Sequence, residues 1–271
     1  MIGEWVDRIF GWLPAPWIVA GMGRLGKRLD NDQLVDVLRR LAAARADSLP
    51  SGAEALRFLL QLDGRLYALQ GRQAVRHGQG LHVKHRLMNY HDFFVARLIP
   101  GERVLDVGCG NGALTCDMGA RGGCQVLGVE LEAAKIADAR RDHAHPNVVY
   151  QVGDATALTD GQGAFDVVTL SNVLEHLQDR PAFLRRLVQQ ATPSRLLIRV
   201  PLFDREWRVP LKRELGVEWR LDPTHETEYT QESFLAEMNE AGLTPTHLEI
   251  RWGEIWAEVR PDLPERSEPA C

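Results

Sequence analysis

The run Val104-Leu105-Asp106-Val107-Gly108-Cys109-Gly110-Asn111-Gly112 carries the clearest chemistry in this chain. An apolar stretch leads into three glycines at alternate positions, and an acid stands two residues before the first. Glycine there lets the backbone turn tightly and lets a ligand lie against it. Ala113 to Met118 can then open a helix whose first amide groups face that ligand. The chemistry is that of a nucleotide-type binding turn. A dinucleotide fingerprint also fits: Gly108, Gly110 and Ala113 match G-x-G-x-x-G/A, and Glu130 follows about 20 residues on.

Three features separate the turn from that fingerprint. Asp106 stands in the strand, where a dehydrogenase more often has an apolar residue, Gly112 adds a third close-approach position, and polar residues recur at each later strand end. Residues 101–200 resemble the class I S-adenosylmethionine-dependent methyltransferases. The resemblance implies a cofactor site built from strand ends. Gly108 and Gly110 admit the methionine part, and Asp106 anchors the turn or the ammonium group. Glu130 accepts both ribose hydroxyl protons, a charge-assisted pair, and Leu131 flanks the adenine. Asp154, followed by Ala155, accepts from the adenine amino group. Ser171 and Asn172 lie next to the sulfonium. Ahead of the turn, His85, Arg86 or Tyr90 holds the cofactor carboxylate. The product would be S-adenosylhomocysteine.

Methyl transfer from a sulfonium needs an in-line nucleophile, and an alcohol or phenol also needs a base. The run Leu174-Glu175-His176 is similar to a stretch in ubiquinone-type O-methyltransferases and in many small-molecule or sugar methyltransferases. His176 titrates in the useful range and is one base candidate. His225, in Asp222-Pro223-Thr224-His225, is the second and is slightly favoured. That run resembles a substrate-side motif of methyltransferases in glycan and secondary-metabolite clusters. Some relatives bind a divalent ion through Glu-x-x-Glu-His at the first of these places. Here Asn172 replaces the first glutamate, so no metal is assigned.

These residues need elements to position them. Apolar residues at helical spacing predict helices through Leu34–Leu41, capped by Asn31, and through Leu56–Leu69, opened by Ser51 with Glu54. From residue 101 onward, predicted strands at Gln125–Glu130, Val148–Val152, Phe165–Leu170 and Arg195–Val200 alternate with helices. A hairpin around Gly253 closes the chain. Alternation of this kind makes an α/β fold with helices on both faces of the sheet. The resemblance implies a Rossmann-like, seven-stranded, mostly parallel sheet. The organisation read is an N-terminal helical region over 1–80, a methyltransferase domain over 81–260 with a lid insertion at 203–229, and a loose tail over 261–271. An insertion of that length is usually functional. Its cations, Arg205, Arg208, Lys212 and Arg213, are balanced by acids, and Trp207, Trp219, Trp252 and Trp256 suggest an aromatic wall.

Composition bounds the reading. A net charge of -5 gives no basic field for nucleic acid, which is not an expected partner. Four cysteines without a C-x-x-C pair suit a reducing cytoplasm. The stretch Ile9–Met22 is too short to span a bilayer and is broken by Pro14 and Pro16. Trp5, Phe10, Trp12 and Trp17 beside Arg24, Lys27 and Arg28 suit a peripheral membrane contact through residues 1–28. An arm packed on the body or on a second copy in a homodimer is the favoured reading of the same segment. The expected function is methylation of oxygen on a small or medium molecule. An N- or C-methyltransferase, and a cofactor-binding sensor or scaffold without turnover, are the alternatives.

Overall fold

The computed structural model describes residues 15–79, 82–155 and 164–262, which fall into two compact units dividing at Tyr67/Ala68. The first unit contains α1 (Ala15–Gly26), α2 (Asn31–Asp47) and the start of α3 (Gly52–His77). Asp30, rather than Asn31, caps α2: its carboxylate accepts the Gln33 amide at 2.8 Å, and the Gln33 side chain accepts the Asp30 amide. Both residues are good caps. The reciprocal bond from a glutamine three residues on decides between them. Ser51 accepts the Glu54 amide at 3.2 Å, as the spacing predicts.

The second unit is built on a seven-stranded sheet of order β3-β2-β1-β4-β5-β7-β6. Short helices α4 (Lys84–Met88) and α5 (Tyr90–Val95) precede β1 (Arg103–Val107). Then follow α6 (Ala113–Ala120), β2 (Gln125–Glu130), α7 (Ala133–Asp142), β3 (Val148–Val152) and β4 (Val167–Ser171). A single 3-10 turn at Leu174–His176 leads to α8 (Arg180–Ala191) and β5 (Arg195–Pro201). The chain ends with α9 (Arg208–Glu214), α10 (Gln231–Glu240), β6 (Leu243–Arg251) and β7 (Glu254–Pro261). The first five strands pair in parallel and β7 pairs antiparallel with β5. This is the Rossmann-like methyltransferase sheet.

Strand alternation divides the core between the two faces. Leu105, Val168 and Ile198 pack on one side with Leu184, Leu187 and Phe234. Val104, Val167 and Leu197 pack on the other with Phe93, Phe94, Met118 and Trp256. Each such side chain contributes about 2–3 kcal/mol by leaving water. Trp256 is therefore a core residue, not part of an aromatic wall, and its ring meets Phe93 edge-on at 5.5 Å. At the other end, β7 runs through Pro261 and the Asp262 amide donates to Gly242. The first residue of the expected tail thus belongs to the sheet, and 263–271 lie outside the described residues.

The insertion leaves β5 and returns to the same place. Leu202 and Tyr229 form an isolated parallel bridge, and the Tyr229 amide donates to the Pro201 carbonyl at 3.1 Å. Between them, Arg213 lies over the Phe203 ring at 4.1 Å, and Arg208 pairs with Glu206. The cations of this segment are paired or stacked rather than presented as a field, while Trp207 and Trp252 are exposed.

Candidate active site

The glycine turn is assembled where β1 turns into α6. Gly108, Gly110 and Gly112 all have positive φ (66°, 57° and 81°), a conformation costly for other residues. A Cβ at Gly108 would sit 2.7 Å from Val173, and one at Gly112 would sit 2.6 Å from the Tyr150 hydroxyl. A Cβ at Gly110 would meet nothing within 4 Å, so that face of the turn is open to a ligand. Asp106 lies below, 2% exposed, with one carboxylate oxygen accepting from Thr115 and the other from Thr169, each at 2.6 Å. Burial pushes its carboxyl up to about 6, against the opposing pull of the two hydroxyls.

Glu130 closes the turn from β2. Its carboxylate accepts the amides of Gly110 and Glu132, both at 3.1 Å. These bonds fix the carboxylate while leaving each oxygen a further lone pair, the arrangement that a ribose diol needs. Leu131 is 72% exposed just beyond it. Asp154 is exposed at the end of β3, whereas Ala155 is buried in the main core.

A cavity of about 230 Å³ opens beside the turn. It brings together seven of the sequence-predicted residues: His85, Tyr90, Asp106, Gly108, Gly110, Ser171 and Asn172. Glu130 joins them through its bond to Gly110. Leu131, Asp154 and Ala155 do not line it. Burial lowers the His85 imidazole to about 4, so at neutral pH it is uncharged. Asn172 has φ 57° and its side-chain oxygen is buried without a partner among the described residues. An orphaned acceptor, an open glycine face and a prefixed carboxylate together fit a nucleoside cofactor that carries an amino-acid end.

The floor of the cavity holds a residue that sequence reasoning missed. Arg199 of β5 is 3% exposed. It makes a bidentate pair with Glu254 at 2.6 and 2.7 Å, donates to Ser171 and stacks on Tyr90 at 4.0 Å. Glu254 also accepts from the Trp256 indole. The available signal was a single cation inside the apolar run Leu196-Leu197-Ile198-Arg199-Val200.

Three residues beyond Asn172 a second cluster begins. Glu175, His176 and His225 each place a ligand-capable atom within 4.8 Å of the others, and the two rings meet edge-on at 4.7 Å. The 3-10 turn supplies the first two, and the insertion supplies His225. The insertion is held there because the Glu226 and Thr227 amides donate to the Glu175 carbonyl at 2.7 and 3.3 Å. Both Glu175 carboxylate oxygens are buried without a partner among the described residues. Burial pushes that carboxyl up to about 7. Burial also lowers the His176 imidazole, helped by His225 beside it. A buried carboxyl group without a partner among the described residues, beside two imidazoles, suits a divalent cation, a bound hydrogen-bonding group, or both. His82, by contrast, uses its Nδ1 to accept the Lys84 amide at 3.1 Å.

Comparison with known proteins covers the same region. Residues 80–248 match a family described as a methyltransferase domain. The ubiquinone biosynthesis O-methyltransferase of Rhodopseudomonas palustris (strain BisA53) is 31% identical over 169 residues, 57% of this chain and 66% of that protein. The protein of the same description from Azorhizobium caulinodans is 37% identical over 110 residues, 40% of this chain and 43% of that one. The chain thus spans between 43% and 66% of these two relatives' lengths. Among solved structures, magnesium protoporphyrin IX methyltransferase from Synechocystis PCC 6803 with bound SAH superimposes with TM-score 0.54 at 19% identity. The superposition covers 67% of this chain and 85% of that one, and it shows a shared fold.

Proposed function

Since the chain belongs to the methyltransferase-domain family, within the class I S-adenosylmethionine-dependent enzymes, we propose that it transfers the methyl group to an oxygen of a small or medium molecule. The observation that carries this reading is the Glu175–His176–His225 cluster, three residues from the cavity-lining Asn172. Oxygen nucleophiles need a proton acceptor, and here two imidazoles lie beside the donor end. In this reading Glu130 takes the ribose hydroxyls, while Leu131, Asp154 and Ala155 border the adenine. Asp106, Gly108 and Gly110 receive the methionine part, His85 and Tyr90 border its carboxylate end, and Ser171 and Asn172 approach the sulfonium. His225 or His176 takes the acceptor proton. That the relatives are described as O-methyltransferases supports the choice of atom.

A second reading is favoured by the unpartnered Glu175 carboxylate. Glu175, His176 and His225 would hold a divalent cation, which lowers the pKa of a bound hydroxyl. The two readings share the same residues and the same product.

Incubation with methyl-labelled cofactor and a panel of phenols, catechols and sugar alcohols tests the proposal. Mass spectrometry should find a methyl ether. Label found only on nitrogen or carbon, or cofactor binding without turnover on any acceptor, would reject it.

For the N-terminal arm we propose a peripheral membrane contact, supported by the aromatic and basic residues of 1–28. Of these, Trp5, Phe10 and Trp12 lie outside the described residues, and Trp17 is exposed. Among the described residues no helix is long and apolar enough to cross a membrane. Removing residues 1–28 should lower partitioning onto anionic liposomes. Unchanged partitioning would leave pairing of two chains through the exposed Val35, Leu38 and Leu66 as the reading of this region.

A further inference from the structure

We infer that the insertion segment 222–228 sets the tautomers of both histidines at the acceptor end. Each ring is held with its hydrogen on Nδ1, so that Nε2 is the lone-pair nitrogen. The cluster is then prepared before any cation or acceptor arrives, and Glu228 and the Asp222–Thr224 pair are its positioning residues. No motif in the sequence pointed to Glu228.

The argument is one of donors and acceptors. The Glu228 side chain is fully buried and ion-paired with Arg205, and it also accepts the Leu221 amide. Arg205 is itself fixed by the carbonyls of Leu202 and Trp219, at 2.8 and 3.0 Å. A carboxylate paired with a guanidinium can only accept hydrogen bonds. His225 Nδ1 lies 3.1 Å from Glu228 Oε1, so the hydrogen between them belongs to the histidine. In the neutral ring the lone pair is then on Nε2.

A hydroxyl relay reaches the same result at His176. Asp222 accepts from the Thr224 amide at 2.8 Å and from the Thr224 hydroxyl at 2.7 Å. A threonine hydroxyl has one hydrogen to give, and here Asp222 takes it. The Thr224 oxygen, 3.0 Å from His176 Nδ1, can therefore only accept, and the hydrogen belongs to the ring. Two unrelated devices, a buried ion pair and an exposed hydroxyl relay, thus impose one tautomer on neighbouring rings beside the unpartnered Glu175 carboxylate.

A neutral imidazole with its lone pair on Nε2 can serve there as a proton acceptor or a metal ligand. The consequence for a cation rests on the second reading above, whereas the tautomers do not.

The test is a long-range proton–nitrogen correlation spectrum of the full chain labelled with ¹⁵N-histidine, in EDTA at neutral pH. His176→Gln and His225→Gln assign the rings. Both rings should show the Nδ1–H pattern. Thr224→Val, at an exposed position, should convert His176 to a mixture of tautomers and leave His225 unchanged. Without EDTA, Mn²⁺ affinity followed by electron paramagnetic resonance should fall about 10–100-fold in Thr224→Val. An Nε2–H pattern at either ring of the wild type overturns the inference. So does a Thr224→Val protein with unchanged tautomers. If the wild-type tautomers are as stated and Mn²⁺ does not bind, the tautomer assignment stands and the cation reading fails.

Discussion

The two ends of the site contain acids of similar burial in opposite states. At the donor end Asp106 and Glu130 have both carboxylate oxygens engaged, by two hydroxyls and by two backbone amides. At the acceptor end both Glu175 oxygens are buried without a partner among the described residues. An engaged carboxylate is a finished part of the wall, whereas an unengaged one in the interior is costly until something binds it. The carboxylates of the donor end are thus satisfied by the protein itself, whereas that of the acceptor end is satisfied only by a ligand.

The largest expected effect tests the finished end. Glu130→Ala removes the group assigned to both ribose hydroxyls and the support of the Gly110 amide. Two charge-assisted bonds at about 1.5–3 kcal/mol each imply a loss of roughly 100-fold or more in S-adenosylmethionine affinity, measured by calorimetry. Affinity within threefold of wild type would show that the donor end does not depend on its prefixed carboxylate.

A pair of substitutions then compares the ends by the sign of their effect on stability. In EDTA above pH 7, where the Glu175 carboxyl is ionised, Glu175→Gln removes an uncompensated buried charge and should raise the melting temperature. The gain is about 2–4 °C for each kcal/mol recovered. Thr115→Val deprives Asp106 of a partner and should lower stability by about 1–2 kcal/mol. This smaller effect depends on pH. The Asp106 carboxyl is raised in the folded protein from 3.8 to about 6, so the stability it contributes is present at low pH and lost as pH rises through that window. Thr115→Val removes a bond to the ionised form, so its cost should be largest where the folded-state Asp106 carboxyl is ionised, above about 6, and should shrink as pH falls through that value. Changes of the same sign in the two variants above pH 7 would erase the contrast between the ends.

The donor end was legible in the sequence because backbone geometry writes itself in residue types. Positive φ favours glycine, a strand end before a helix carries a polar group, and β–α alternation fixes the order of the ends. Partners across space leave no such trace. Trp256 looked like wall material, yet Ile255, Trp256 and Ala257 are all buried, so β7 is covered on both faces and periodicity cannot say which way its residues point. Arg199 was visible as an oddity in an apolar strand, but its partner Glu254 is 55 residues away. His225 was chosen for its neighbours in sequence, while its orientation comes from Glu228, a residue that no motif marks.

The neck of the insertion has an evolutionary consequence. Because Leu202 and Tyr229 are bridged, the segment between them leaves and re-enters the sheet at a single point. Beyond that bridge it is docked by two amides on one carbonyl of the 3-10 turn and by the Thr224 hydroxyl against His176. Such a segment is exchangeable: a different loop of comparable length, closing on the same bridge, would bring new acceptor contacts without touching the glycine turn or Glu130.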